Sequence, residues 1–345
     1  MKALVTGANG HLGANIVRLL VAQGTSVRGL VRPKADVRGL AGVTVEVVHG
    51  DVLEPDSLPA AMDSVEVLYH CAAVYKTWAK DPAEIVRPSV EGTRNVLGAA
   101  AKAGVKRVVF TSSVAAVGAA TVPDQGRDET HWNEDRYNAY YEAKTLGERE
   151  AWKISKETGL EMCAVNPSVI VGPFDYRVTP SMSSVRDLTT GAIPRLNGGY
   201  SWVHVEDVAR AHLLAAEKGT NGERYIASGT NASMSEVADA LIRLTGHGST
   251  RSLPGWLVFL VADVSGAVAK VTGGKPLVAR DMLDETIGKW QYYRNDKARR
   301  DLGYSPRGLD ETLIAGVRWL AHTKEFAEPL RAELAAKFPA EVGWS

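Results

Sequence analysis

Residues 1–13 read MKALVTGANGHLG, and this stretch decides the fold. An apolar run from Ala3 to Val5 leads directly into three glycines, Gly7, Gly10 and Gly13, spaced three residues apart. Glycines that end a strand and open a helix are typical of a dinucleotide-binding turn. The first glycine permits the tight turn, the second lets a pyrophosphate approach the backbone, and the third lets helix and strand pack closely. The N–H groups at the helix N-terminus then face the phosphates.

The rest of the first half alternates strand-like and helix-like segments. Strand patterns end near Thr6 and Val31 and recur in VTVEVVHGD, VEVLYHCAA, VKRVVFTSS and LEMCAVNP, while helical patterns stop at Gly24, Gly104 and Gly159. Short apolar strands that alternate with helices predict a parallel sheet covered on both faces, a Rossmann-type doubly wound α/β domain. We expect this domain over residues 1–172. A smaller, interleaved substrate lobe is expected over 173–345, with segments near 201–228 returning to the first domain.

Composition narrows the class of protein. The 345 residues carry 40 basic and 40 acidic side chains, so no basic surface for nucleic acid is expected. The two cysteines lie in apolar runs and are expected to be buried free thiols. The eight histidines lack metal-binding spacings, so no metal site is expected. The first strand begins at residue 2, which leaves no room for a signal peptide. We expect a cytoplasmic monomer or homodimer whose partner is a small molecule.

One apolar stretch, Leu253 to Val271, is close to the length of a membrane-spanning helix. A membrane-spanning helix needs about 20 apolar residues, whereas this stretch contains Pro254, Gly255, Asp263 and Gly266. It is interpreted as a buried or substrate-facing helix, and a membrane-associated segment is the alternative.

The end of the second strand indicates which dinucleotide is bound. SVRGLV is followed by Arg32, Lys34 and Arg38, where an acidic residue would instead bind the ribose hydroxyls. Positive charge at this point suits the 2′-phosphate of NADP, with Arg32 the strongest candidate. Asp51, at the end of the third strand, is placed to reach the adenine amino group or to cap the next turn.

Tyr140 and Lys144 are the candidate proton-transfer pair. Four residues apart on a helix, they share one face, and a nearby ammonium favours the phenolate and lowers the pKa of tyrosine. Tyr137 and Tyr141 have no lysine four residues later. At the end of the fifth strand, Thr111, Ser112 and Ser113 offer hydroxyl groups that could bind a carbonyl oxygen, or that could only satisfy the backbone there.

The chain resembles the extended short-chain dehydrogenases/reductases. TGANGHLG, HGDV, HCAA, VEGTRNVL, VVFTSS, NPSVIVGP and VHVEDVARAH are similar to the motifs of that family in type and order. Within the family, VRGLVRP, RYIASG and ARRDLGYSPRGLDETL look most like the dihydroflavonol-4-reductase-like branch. One departure is Ser89, which stands where the family often has Asn and puts the structural or water-relay role of that residue in doubt.

The resemblance implies specific roles. Tyr140 would donate the proton, Lys144 would lower its pKa and hold the nicotinamide ribose, and Ser113 would orient the carbonyl, with Ser112 as the fallback. The residues expected to contact NADP are Gly7, Asn9, Gly10, His11, Leu12, Gly13, Arg32, Arg38, Asp51, Val52, Cys71, Ala72, Ala73, Thr111, Tyr140, Lys144, Pro167, Ser168 and Val169.

The predicted function is NADPH-dependent reduction of a hydrophobic or aromatic ketone or aldehyde. The candidate pocket residues are mostly apolar, and any of them could be plain core: Val74, Tyr75, Trp78, Val114, Ala115, Trp132, Phe174, Met182 and Trp202. Three alternatives remain. They are a nucleotide-sugar epimerase or dehydratase with tightly held NAD, a hydroxysteroid-type dehydrogenase, and an NADP-sensing regulator that is not an enzyme.

Overall fold

A seven-stranded parallel sheet forms the centre of the molecule. The computed structural model describes residues 1–73, 81–123, 126–135, 138–272, 280–341 and 344, without the side chains of residues 270, 271, 281 and 282. The strands of this sheet are β1 (Lys2–Thr6), β2 (Ser26–Val31), β3 (Glu46–His49), β4 (Val67–His70), β5 (Arg107–Thr111), β6 (Met162–Pro167) and β9 (Arg224–Ala227). Their order is β3-β2-β1-β4-β5-β6-β9. This is a doubly wound order, so the predicted fold class is confirmed.

A second sheet lies beyond the first. It contains β7 (Val169–Val171), β8 (Gly199–His204), β10 (Thr230–Ser233) and β11 (Trp290–Gln291). Strand β8 pairs antiparallel with β10 and parallel with both β7 and β11. Because β6 runs into β7 with only Ser168 between them, the end of the first sheet is joined directly to the second.

Helices cover both faces of the large sheet. The helices within the described residues are α1 (His11–Ala22), α2 (Pro59–Met62), α3 (Ala83–Lys102), α4 (Ala139–Thr158), α5 (Pro180–Thr190), α6 (Val205–Lys218), α7 (Met234–Thr245), α8 (Gly255–Thr272), α9 (Arg280–Thr286), α10 (Leu309–His322) and α11 (Leu330–Lys337). Of these, α1 and α6 lie on one face of the sheet and α3 and α4 on the other. Alternate residues of β1 point to opposite faces, as a strand requires. Val5 packs in the cluster that contains α1 and α6, and Leu4 in the cluster that contains α3 and α4.

Helix α8 corrects one expectation. The segment is helical, but the buried alternative is wrong for much of it: Trp256, Val264 and Val268 are 68%, 57% and 55% exposed. That it faces a substrate stays a prediction. The stripe of α8 that contains Val258 and Ala262 packs against α9. A helix buries one stripe of residues against each neighbouring element, and within the described residues no other element covers the opposite side of α8. Among the residues that the structure describes, no helix has the length and hydropathy needed to cross a membrane.

Candidate functional site

The glycine turn lies between the ends of β1 and β2 and the start of α1. Gly7 has a φ of +64°, and a Cβ there would come within 2.9 Å of Ala72 Cα. The Gly7 amide donates to the Leu30 carbonyl at 3.1 Å, which holds the turn against β2. A Cβ on Gly13 would lie 2.2 Å from the Gly7 carbonyl oxygen. Both glycines are therefore required by close backbone contacts, and they leave the N-terminus of α1 open.

Replacing Gly13 by Ala should lower the free energy of unfolding by about 1–3 kcal/mol, because the methyl group meets rigid backbone. The control is Gly98→Ala, at a site in α3 where a Cβ meets nothing within 4 Å. There the substitution should leave stability unchanged or raise it by up to about 1 kcal/mol. Urea denaturation of both variants measures the difference. Equal midpoints for Gly13→Ala and the wild type would refute this account of the turn.

The polar residues of the turn have protein partners. Asn9 Nδ2 donates to the Asp36 carbonyl at 2.8 Å. His11 Nε2 lies 3.1 Å from the Gly172 carbonyl, and Asp175 lies beside its other nitrogen at 3.8 Å. Burial lowers the pKa of His11, against the opposing effect of Asp175. The His11 ring therefore links the turn to the 172–175 loop, and the sequence offered no signal for that contact. Leu12 is buried in the core against the sheet.

The cations after β2 differ in their surroundings. Arg32 is exposed, and its guanidinium has no hydrogen-bond or ion-pair partner within the described ranges. Arg38 donates to Asp36 at 2.7 Å and lies over the Tyr176 ring. Asp51 caps the next turn by accepting from the Leu53 amide at 3.0 Å. Arg32 is thus the unengaged guanidinium at this end of the site.

The candidate proton-transfer groups come from two elements. Ser113 follows β5 and is buried, and Tyr140 lies in the first turn of α4. Tyr140 Oη is 3.5 Å from Ser113 Oγ, the outer limit of a hydrogen bond. Lys144 follows one helical turn later, and desolvation lowers its pKa to about 8. The structure therefore places the Tyr140 and Ser113 hydroxyls side by side, with Lys144 one turn further along α4. We call Ser113, Tyr140 and Lys144 the triad.

Asn138 sets where α4 begins. Its Oδ1 accepts from the amides of Tyr140 and Tyr141 at 2.9 and 3.2 Å, as an N-cap does. Its Nδ2 donates to Glu285 of α9 at 2.6 Å. Helix α9 is thereby attached to the turn that carries Tyr140.

Ser112 faces a different set of groups from Ser113. Its hydroxyl donates to Glu148 Oε2 at 2.5 Å, and Glu148 is fully buried. The same carboxylate pairs with Arg224 at 2.6 Å and accepts from Asn166 at 2.9 Å. This buried network occupies the Ser112 hydroxyl. Sequence reasoning missed it, although Glu148 stands one helical turn after Lys144.

The other residues expected at the site lie at the ends of strands of the large sheet. The amide of Ala72 donates to Thr6 Oγ1 at 3.1 Å, which fixes the loop after β4. Ala73 lies on the exposed side of that loop, and the Val52 carbonyl accepts from Asn95 at 2.9 Å. Ser168, between Pro167 and Val169, is buried, and its hydroxyl has no partner among the described groups.

The predicted substrate-pocket residues fall into separate places. Val74, Tyr75 and Trp78 lie outside the described residues. Val114 is buried beside Tyr293. Trp202 is buried and pairs in register with Val169.

Other pocket candidates lie elsewhere. Phe174 stacks on Arg18 at 3.7 Å and lines a cavity of about 620 Å³ that contains no triad residue. Trp132 lies under Arg224, and Met182 is core. Phe174 therefore does not lie at the triad. Its backbone is left-handed, with φ +68°, and its ring packs between α1 and α10.

Comparison with known proteins decides the family. The family model described as "NAD dependent epimerase/dehydratase family" matches residues 3–227. The chain belongs to this family, within the extended short-chain dehydrogenases/reductases. The expected family and its oxidoreductase chemistry are thereby confirmed, with NAD or NADP as the cofactor.

Three proteins are similar to this chain over most of its length. "Sterol demethylase protein B" of Methylococcus capsulatus is 38% identical over 335 residues, which cover 92% of this chain and 98% of that protein. "Cinnamoyl-CoA reductase CAD2" of Medicago truncatula is 34% identical over 259 residues, covering 70% and 79%. The yeast methylglyoxal/isovaleraldehyde reductase Gre2 complexed with NADPH has a TM-score of 0.72 at 25% identity, covering 94% and 100%.

Proposed function

We propose that this protein is an NADPH-dependent carbonyl reductase that acts on a hydrophobic or aromatic ketone or aldehyde. The observation that carries the proposal is the distance of 3.5 Å between Tyr140 Oη and Ser113 Oγ, with Lys144 one turn further along α4. Two hydroxyl donors that converge at the carboxyl end of β5 suit a single substrate oxygen. Ser112 is engaged by Glu148, which favours Ser113 for this role.

The residues present fit a bound dinucleotide. The glycine turn leaves the N-terminus of α1 open, at a place where added Cβ atoms would meet backbone. Arg32 is available for a 2′-phosphate, and the buried Ser168 hydroxyl, which has no partner among the described groups, follows β6 at the end of the site where the nicotinamide is proposed. When bound, the cofactor supplies the hydride. The NADPH named in the yeast Gre2 complex also supports this cofactor.

Each catalytic residue has a distinct task in this proposal. Tyr140 gives its phenolic proton to the oxygen that becomes the alcohol. Ser113 donates a hydrogen bond to the same oxygen while negative charge develops there. The Lys144 ammonium makes the phenolate form of Tyr140 more accessible.

The reductive reaction should slow as the pH rises through about 8, because burial lowers the pKa of Lys144 to about 8 and the ammonium is lost there. Above that point, kcat/KM should fall about tenfold per pH unit. Measurement of kcat/KM from pH 6 to 10 tests this expectation, and a flat profile up to pH 10 would oppose it.

Deprotonation of Lys144 does not by itself destabilise the fold. The pKa of Lys144 is depressed in the folded state, so between about pH 8 and the unfolded value of 10.5 the unfolded chain binds more protons. This residue therefore makes the folded state more stable as the pH rises through that window. A thermal melt at each pH provides the control.

A hydroxysteroid-type dehydrogenase is the second candidate. Two observations favour it: the 38%-identical relative is named as a sterol demethylase protein, and α8 exposes an apolar face that includes Trp256 and Val264. NADPH oxidation should be screened with aromatic aldehydes, ketosteroids and sugar nucleotides. Net NADPH consumption separates both reductase candidates from an epimerase, and the preferred carbonyl separates them from each other.

A further inference from the structure

A buried histidine outside the triad controls a chain of hydrogen bonds. His212 of α6 is fully buried, and its Nδ1 lies 2.8 Å from the Val208 carbonyl. A carbonyl only accepts, so Nδ1 carries the ring proton. Burial lowers the pKa of His212 to about 4, which keeps the ring neutral near pH 7. Nε2 is therefore a hydrogen-bond acceptor.

Thr111 connects this histidine to Cys71. Thr111 Oγ1 lies 2.9 Å from His212 Nε2 and 3.2 Å from Cys71 Sγ. The hydroxyl has one hydrogen, and an imidazole nitrogen is a better acceptor than sulfur. The hydrogen therefore goes to His212, and the Thr111 oxygen is left to accept from the Cys71 thiol. The hydrogen bonds therefore run in one direction, from Cys71 after β4 through Thr111 of β5 to His212 of α6.

Cys71 ends this chain beside the triad. The titratable groups within its electrostatic reach are Lys144 of α4 and Tyr69 of β4, and Cys163 of β6 interacts electrostatically with Tyr69 from two strands away. Burial and, to a smaller extent, the charge of Lys144 lower the pKa of His70, the residue before Cys71. Lys144 is the cation of this group. Desolvation raises the pKa of Cys71 to about 12, so the thiol is neutral.

We propose that His212 is a positioning residue for Cys71: it holds the Thr111 hydrogen, so that Cys71 stays a neutral hydrogen-bond donor beside Lys144 of the triad. Without His212, the Thr111 hydroxyl would turn to sulfur, and a hydrogen bond to sulfur favours the thiolate. A larger fraction of Cys71 would then be thiolate at any given pH.

Two variants of His212 test the proposal through thiol chemistry. His212→Leu removes the acceptor, whereas His212→Gln keeps a carbonyl oxygen to accept from Thr111 and an amide to donate to Val208. Iodoacetamide labelling of Cys71 near pH ~8.5, followed by peptide mass spectrometry, should be about tenfold faster in the Leu variant and within about twofold of wild type in the Gln variant. A folded Leu variant that reacts at the wild-type rate overturns the proposal.

The wild-type chain provides a test that needs no variant. Long-range ¹H–¹⁵N NMR should show the Nδ1–H tautomer of His212 at neutral pH, and the Nε2–H tautomer overturns the proposal. Neither this measurement nor labelling requires turnover, so either can succeed while the proposed reductase activity fails.

Discussion

Replacing Tyr140 by Phe should lower kcat for carbonyl reduction by about 10³-fold, because the general acid is removed. The substitution deletes one oxygen and leaves the ring in place. Dissociation of NADPH, measured by fluorescence titration, should change by less than about threefold, since the glycine turn and Arg32 bind the other end of the cofactor.

Tyr141→Phe is the matched control. Tyr141 is adjacent, but it is buried and has no lysine one turn later. Its loss should cost less than about tenfold in kcat. Comparable losses in both variants would mean that Tyr140 has no special role. Full activity in Tyr140→Phe would contradict the proposed mechanism outright.

Replacing Arg32 by Asp should lower kcat/KM with NADPH by about 100-fold, because a charge-assisted contact to the 2′-phosphate is replaced by repulsion. With NADH, which lacks that phosphate, the value should hold or rise. Steady-state kinetics with both cofactors at matched ionic strength provides the measurement.

Arg38→Asp is the control for position and charge. Arg38 already pairs with Asp36 at 2.7 Å, so its replacement should cost less than about tenfold with NADPH. If Arg32→Asp weakened both cofactors equally, the 2′-phosphate role of Arg32 would be wrong. If Arg38→Asp gave the larger loss, the phosphate would bind further along the loop.

Much of the fold could be predicted because local patterns and tertiary structure agree. The run before Gly7 became β1, and the glycines Gly24, Gly104 and Gly159 each follow a helix with a left-handed backbone. Helix α8 was predicted as a helix, but its exposure was not. An apolar composition tells which residues could be buried, whereas only the tertiary arrangement tells which neighbours exist to cover them.

The candidate site was predictable where spacing carries the geometry. A four-residue separation places Tyr140 and Lys144 on one helix face, and a strand end places Ser113 near them. Contacts between distant segments had no such signal. The His212–Thr111 pair joins positions 101 residues apart, and the Arg224–Glu148 pair joins positions 76 apart. Phe174 was assigned to the pocket because it is aromatic, and its packing against Arg18 depends on the turn at 172–175.

Transfer of deuterium tests the central claim most directly. NADPH labelled with deuterium on one face or the other of C4 should be incubated with an aromatic aldehyde or ketone that the protein turns over. We expect the alcohol product to gain one deuterium at the carbinol carbon from only one of the two labelled cofactors, and Tyr140→Phe to slow the transfer by about 10³-fold. Interconversion of sugar nucleotides, with no deuterium in any product and no net NADPH consumption, would contradict the central claim.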